Sequence, residues 1–177
     1  MVEVCPLAVG IGETLDGKYR ITREIRRTST GVVYEAEDRG QSGQVAVKTL
    51  LEATSGDGQL AARFRREARA AGALGAPRIP RVFDLGRTSK GLLYLVTELF
   101  AGETLLALLS RKPQLPVPLA VDLTGQVLSG LSTAHKGGLV HRDLSPESIF
   151  IPSGEKSPEL VKILDESGVL VRSQHLE

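Results

Sequence analysis

The sequence predicts an α+β fold of two unlike parts: five short strands with one inserted helix over 18–98, then a mainly helical part over 103–177. Three observations predict it. Residues 19–25, 32–36 and 45–50 carry alternating or β-branched patterns, the signature of strands. Over 59–74 the apolar spacing lengthens to three and four residues, as on one face of a helix. Beyond 103, helical stretches broken by prolines lead into two short strand-like pieces.

Taken in order, residues 1–17 read as a tail ending in the turn Leu15-Asp16-Gly17. In the first strand Tyr19, Ile21, Arg23 and Ile25 alternate with Arg20, Thr22 and Glu24. A polar turn then passes through Gly31 into Val32-Val33-Tyr34-Glu35-Ala36, and Arg39-Gly40-Gln41-Ser42-Gly43 turns the chain into a third strand, 45–50. This regular spacing is that of an antiparallel meander. On the helix, Leu60, Phe64, Ala68 and Ala71 share a face, while Arg63, Arg65, Arg66 and Arg69 occupy the rest; Gly75, Pro77 and Pro80 end it. Two more strands, 82–85 and 92–99, are joined by a turn at 87–91, and 99–102 is the thin link to the second part. There, 104–109 is a short helix, and Pro118 marks the first turn of a longer one, 119–135. Its apolar face is Leu119, Leu123, Val127, Leu131 and Ala134, and the strand-like pieces are 149–151 and 161–164. A cleft between two unlike parts is a natural place for a ligand.

Charge and cysteine usage narrow the function classes. With 22 Lys+Arg against 21 Asp+Glu, the net charge of +1 gives no electrostatic case for a nucleic-acid partner. No apolar run approaches the roughly 18–20 residues a bilayer span needs, so no membrane partner is expected. Residues 1–12 lack the basic start of a signal peptide. The single Cys5 excludes a disulfide framework and a cysteine-built metal site, and points to a reducing, cytoplasmic setting. His135 and His175 have no partners at metal-ligand spacing.

The residues that could carry chemistry are Lys48 on a strand, Glu67 on the arginine-rich helix, Asp143 in His141-Arg142-Asp143-Leu144, and Asp165 after Val161-Lys162-Ile163-Leu164. Each alone has a plain reading: a solvated strand lysine, a helix ion pair with Arg63, a turn aspartate, a strand-ending aspartate. Gly31 alone is weak evidence for a phosphate-binding loop. Their order changes the reading. A strand lysine, a helical glutamate, a His-Arg-Asp turn and a strand-ending aspartate follow one another on the elements where protein kinases carry them.

From about residue 12 to 170 the chain resembles a bacterial, eukaryotic-like (Hanks-type) Ser/Thr protein kinase, including the opening Gly12-Glu13-Thr14-Leu15-Asp16-Gly17-Lys18-Tyr19-Arg20-Ile21. The resemblance implies a protein-kinase-like fold, with an N-lobe at 18–98, a hinge at 99–102 and a partial C-lobe at 103–177. It implies ATP and Mg²⁺ as cofactors. Lys48 would hold the α- and β-phosphates and pair with Glu67; Ile25, Val33 and Ala46 would roof the adenine, with Phe150 as its floor. Thr97 takes the gatekeeper position, the backbone of Glu98 and Phe100 the hinge hydrogen bonds, Asp143 that of the catalytic base and Asp165 that of the metal-binding aspartate.

Several positions depart from the family pattern. Of the three loop glycines only Gly31 is present, with Arg26 and Thr28 at the other two. Ser145 replaces the catalytic-loop lysine, and Ser148 replaces the asparagine that binds a second Mg²⁺, making it at best a weak ligand. Asp165-Glu166-Ser167 stands for Asp-Phe-Gly, and the chain stops about a dozen residues later. The expectation is a truncated pseudokinase, a regulatory or scaffolding protein with residual ATP binding. It would dock on a protein partner, a full-length kinase or a second copy, through an apolar face of 119–134 left partly bare. The alternative is a Ser/Thr kinase that transfers the ATP γ-phosphate to protein hydroxyls weakly, or only with a partner.

Overall fold

The computed structural model describes residues 9–27, 31–41, 43–50, 62, 65–66, 68–69, 72–153 and 161–164, with backbone alone for 171–172. The chain forms two compact units: Met1–Arg66 with Val82–Leu99, and Glu67–Arg81 with Phe100–Glu177. The stretch 67–81, grouped with the strands in the sequence reading, thus belongs to the second unit.

The first unit is built on an antiparallel sheet of six strands rather than five. Asp16 and Gly17 adopt φ of 46° and 69°, a tight hairpin turn suited to the Asp-Gly pair. Lys18 N donates to Leu15 O at 2.9 Å, and Thr14–Leu15 (β1) folds back on Tyr19–Arg27 (β2). The second half of the expected tail is therefore part of the sheet. Gly31–Asp38 (β3), Gly43–Leu50 (β4), Val82–Arg87 (β5) and Leu93–Glu98 (β6) complete it in the order β1-β2-β3-β4-β6-β5.

The ladder register divides the side chains between two faces. Val32, Thr49 and Tyr94 lie opposite one another, as do Tyr34, Val47 and Val96. This face, with Tyr19, Ile21, Ala36 and Val45, is a buried apolar core closed by Val9 and Leu15 from the N-terminal segment. A polar clasp ties that segment down. Tyr19 Oη and Lys18 Nζ both donate to Asp84 Oδ2, at 2.7 Å and 3.2 Å, while Tyr94 Oη donates to the Asp16 carboxylate. The Tyr19 and Tyr94 rings meet edge to face at 6.2 Å.

Burial alone would push the Asp84 carboxyl up, but the hydrogen bonds from Tyr19 and Lys18 outweigh it and hold it below the ordinary 3.8. A depressed folded value means that the clasp stabilises the fold fully above the unfolded value and loses that contribution as pH falls through the folded one. The Tm advantage of the wild-type chain over Asp84→Asn is therefore expected to hold at neutral pH and to shrink below about pH 4. Thermal melts from pH 7 to pH 3 check this; a gap independent of pH would exclude an ionised Asp84 as the anchor.

In the stretch 59–74 the described residues are helical, with Ala68 buried and Arg65, Arg66 and Arg69 exposed, as the period predicts. Leu60, Arg63, Phe64, Glu67 and Ala71 lie outside the described residues. The second unit continues through Gly102–Thr104 (β7) into Leu105–Arg111 (α1), where Thr104 Oγ1 caps the helix by accepting from Ala107 N at 3.2 Å. Val117–Lys136 (α2) begins after Pro116, with Pro118 in its first turn. Leu139–Val140 (β8) pairs with Val171–Arg172 (β11), and Lys162–Ile163 (β10), Ile149–Pro152 (β9) and β7 form a sheet in the order β10-β9-β7.

The expected bare face of α2 is largely covered. Leu123 and Val127 pack with Ile149 and Val161, flanked by Leu105, Leu115, Leu131 and Ile151. Gln126 holds one end of this cover: its Oε1 accepts from Val161 N at 3.0 Å and Arg78 Nη1 at 2.8 Å. The exposed aliphatics of α2 lie mostly elsewhere, at Val117, Val121 and Leu128, with Leu119 39 % exposed. No described helix is long and apolar enough to cross a membrane.

Candidate active site

In the first unit the face opposite the buried core holds four of the residues expected to contact a nucleotide. Val33 pairs with Lys48, and Ala46 with Thr97, so these four side chains share one face by strand alternation. Val33, Ala46 and Thr97 are half-buried, whereas Lys48 is only 5 % exposed. Ile25 sits at an irregularity between the pairs Glu24/Tyr34 and Arg26/Val33 and is 41 % exposed. A bulge of this kind re-aims a side chain away from the regular pleat. Glu98, half-buried, closes β6 opposite Val45. An apolar strip of small and β-branched side chains beside a buried ammonium suits a purine with its phosphates attached.

Gly31 has a reason of its own. It pairs with Leu50, and a Cβ at this position would lie 2.0 Å from the Thr49 carbonyl oxygen, a backbone atom that cannot swing aside. The close approach of β3 to β4 accounts for this glycine without any phosphate.

In the second unit, the chemistry-bearing residues gather in the loop after β8. His141 is buried, and its Nε2–H donates to the Leu164 carbonyl at 2.7 Å. That acceptor fixes a proton on Nε2, and Nδ1 is buried with no partner among the described residues. Arg142 adopts φ 64°, a left-handed bend uncommon outside glycine, which turns the chain so that Asp143 is exposed. Ser148 closes the loop: its Oγ donates to Ser145 O at 2.8 Å and accepts from Ser145 N at 2.9 Å. Leu164 N donates to Ser148 O at 2.7 Å. Both backbone groups of Leu164 are thus held by residues of the 141–148 loop. Pro146 O accepts from Leu106 N at 2.9 Å, fastening the loop to α1.

Phe150 lies in the middle strand of the small sheet, opposite Thr104 on one side and Lys162 on the other. Its ring is 6.2 Å from that of Phe100, and Lys162 Nζ stands 4.5 Å over the Phe100 ring. Asp165 and Glu67 lie outside the described residues, as do Thr28, Glu166 and Ser167. Among the described residues no group of three or more His, Cys, Asp or Glu could hold a metal ion.

The protein kinase domain model matches residues 19–167. The chain belongs to the protein kinase domain family. This kinase-family chain is 37 % identical over 155 residues to the serine/threonine-protein kinase pkn3 of Myxococcus xanthus, covering 88 % of the chain and 28 % of that protein. It is 40 % identical over 160 residues to the serine/threonine-protein kinase PknA of Mycobacterium tuberculosis, covering 88 % and 36 %. The crystal structure of the M. tuberculosis PknI kinase domain superimposes with a TM-score of 0.76 at 29 % identity, over 92 % of the chain and 62 % of that domain. The chain therefore spans about a third of the length of these curated relatives.

Two features of the kinase-family site escaped sequence reading. Lys162 is a buried cation stacked on Phe100; its only trace was a lysine inside an otherwise apolar strand. The bracing of Leu164 is carried by backbone groups, and backbone groups leave no pattern in a sequence. Ser148, expected as a weak metal ligand, is 8 % exposed, and its hydroxyl donates and accepts inside the loop.

Proposed function

We propose that this chain is the ATP-binding and base-bearing portion of a serine/threonine protein kinase. The observation that best supports the reading is the braced 141–148 loop, which holds Asp143 exposed while His141 and Ser148 grip Leu164 on both sides. Phosphoryl transfer depends on positioning and charge neutralisation more than on covalent help from the protein, so a rigid carriage for one carboxylate is what it requires.

In this reading Ile25, Val33 and Ala46 take one face of the adenine and Phe150 the other, with Thr97 at the back and the Glu98 and Phe100 backbone on the base edge. Lys48 neutralises the α- and β-phosphates, with Glu67 as its partner, and Asp165 holds a metal ion. ATP supplies the γ-phosphoryl group. Asp143 accepts the proton of a serine or threonine hydroxyl as the new oxygen–phosphorus bond forms and ADP departs. Gly31 serves chiefly the sheet. No step is assigned to Ser148 through a metal. A cytoplasmic setting belongs to the same reading, supported by the single Cys5.

A second reading, a nucleotide-binding pseudokinase that regulates a full-length kinase or a second copy, is favoured by one observation. With serine at 145 and 148 the loop has neither the lysine nor the carboxamide of the family pattern, and the Ser148 hydroxyl is bonded to the Ser145 backbone.

Labelled ATP with Mg²⁺ and casein as acceptor separates the two. The kinase reading expects transfer that Lys48→Met lowers by about 10²–10³-fold, the cost of removing one charge-stabilising donor. ATP binding with no transfer from the wild-type chain would favour the regulatory reading; no binding at all would remove both.

A further inference from the structure

We propose that Ser148 is a positioning residue that sets the Asp143 loop, and that the chain uses no metal ion at this position. The hydroxyl has one hydrogen to give and gives it to Ser145 O at 2.8 Å. It receives Ser145 N–H at 2.9 Å, and Ser148 N also donates to Ser145 O at 3.1 Å. The three bonds close the turn Ser145-Pro146-Glu147-Ser148 on itself. One of the two Oγ lone pairs is taken by the Ser145 amide, and a cation seeking the other would have to enter a site that is 8 % exposed.

The turn is also a junction. Ser148 O receives Leu164 N–H at 2.7 Å and Pro146 O receives Leu106 N–H at 2.9 Å. His141, at the other end of the loop, holds the Leu164 carbonyl at 2.7 Å. Ser148 thus acts on Asp143 through the backbone, by fixing the downstream flank of a loop whose upstream flank His141 fixes. A side chain that closes a turn by bonding to the backbone three residues earlier must be short and polar, as serine is.

The metal half of this inference rests on the nucleotide-binding reading; the loop half does not, so two measurements are made on the full chain. In the nucleotide-free protein, the Ser145 amide is expected to be protected from hydrogen exchange. It is expected to exchange about tenfold faster in Ser148→Ala, the scale of one hydrogen bond, and to regain protection in Ser148→Thr, which keeps the hydroxyl. With ATP and Mn²⁺, electron paramagnetic resonance is expected to count at most one Mn²⁺ per bound nucleotide in both the wild type and Ser148→Ala. Equal exchange in the wild type and Ser148→Ala would overturn the proposal. So would two Mn²⁺ per nucleotide in the wild type falling to one in Ser148→Ala. Should ATP fail to bind, the nucleotide-binding reading falls and the exchange result alone decides the role of Ser148.

Discussion

Asp143→Asn is expected to lower phosphoryl transfer by about 10²–10⁴-fold, the range a general base contributes, with the KM for ATP unchanged. Asparagine has nearly the same shape but cannot take a proton from a hydroxyl at neutral pH. The loop that carries it is held by other residues: the left-handed bend at Arg142, the His141 bond to Leu164 and the Ser145–Ser148 turn. Asp143 itself is exposed, so its exchange for asparagine is expected to move stability by no more than about 0.5 kcal/mol. Steady-state kinetics with labelled ATP, beside a thermal melt, checks both parts. A raised KM for ATP with kcat intact would assign Asp143 to nucleotide binding and remove it as the base.

Gly31→Ala is expected to destabilise the nucleotide-free protein by about 2–3 kcal/mol, the scale of an overpacked interior. For a chain of this size that corresponds to a Tm lower by roughly 4–12 °C. The added methyl would lie 2.0 Å from the Thr49 carbonyl oxygen, and relieving that overlap means spreading β3 from β4 where both run through the centre of the sheet. The melt is made without nucleotide because that condition divides the two explanations of the glycine. A glycine needed only to admit phosphates would leave this Tm unchanged and weaken ATP binding instead.

Gly31 also illustrates how much of the molecule could be read in its sequence. The strands over 19–25, 32–36 and 45–50 were legible because a sheet buried on one face writes its geometry as a period of two. Strand β1 was not, since two residues hold no period; the Asp16-Gly17 pair was seen, but as the end of a tail rather than the corner of a hairpin. On α2 the inward residues Leu123, Val127 and Ala134 were correctly grouped, yet their cover was not foreseen. That cover is fastened in part by Gln126, a polar residue that apolar periodicity passes over.

At the site, Lys48 and Asp143 were legible only through their order with Glu67 and Asp165 along the chain, since each alone reads as a plain strand or turn residue. What Ser148 does was hidden, because a serine that closes a turn and a serine that replaces a metal ligand are the same letter. Only the positions of its hydrogen-bond partners distinguish them.

The N-terminal segment bears on where this fold begins. Gly12 N donates to Ile21 O and Ile21 N to Glu13 O, so residues 12–15 cover the edge of β2 along Tyr19 to Ile21, its apolar stretch. Farther on, β2 presents Arg23, Glu24 and Arg27 to solvent, charges that discourage another strand from adding there. One sheet margin is therefore guarded by two different means, a strap where it is greasy and charge where it is open. A chain cut to the matched span, starting at Tyr19, would keep the charges and lose the strap. It would bare the greasy end of the edge to any passing strand, and uncover the core that Val9 and Leu15 seal. Val9 and Leu15 thus lie outside the matched span yet seal the core, and self-association is the hazard of cutting the chain at Tyr19.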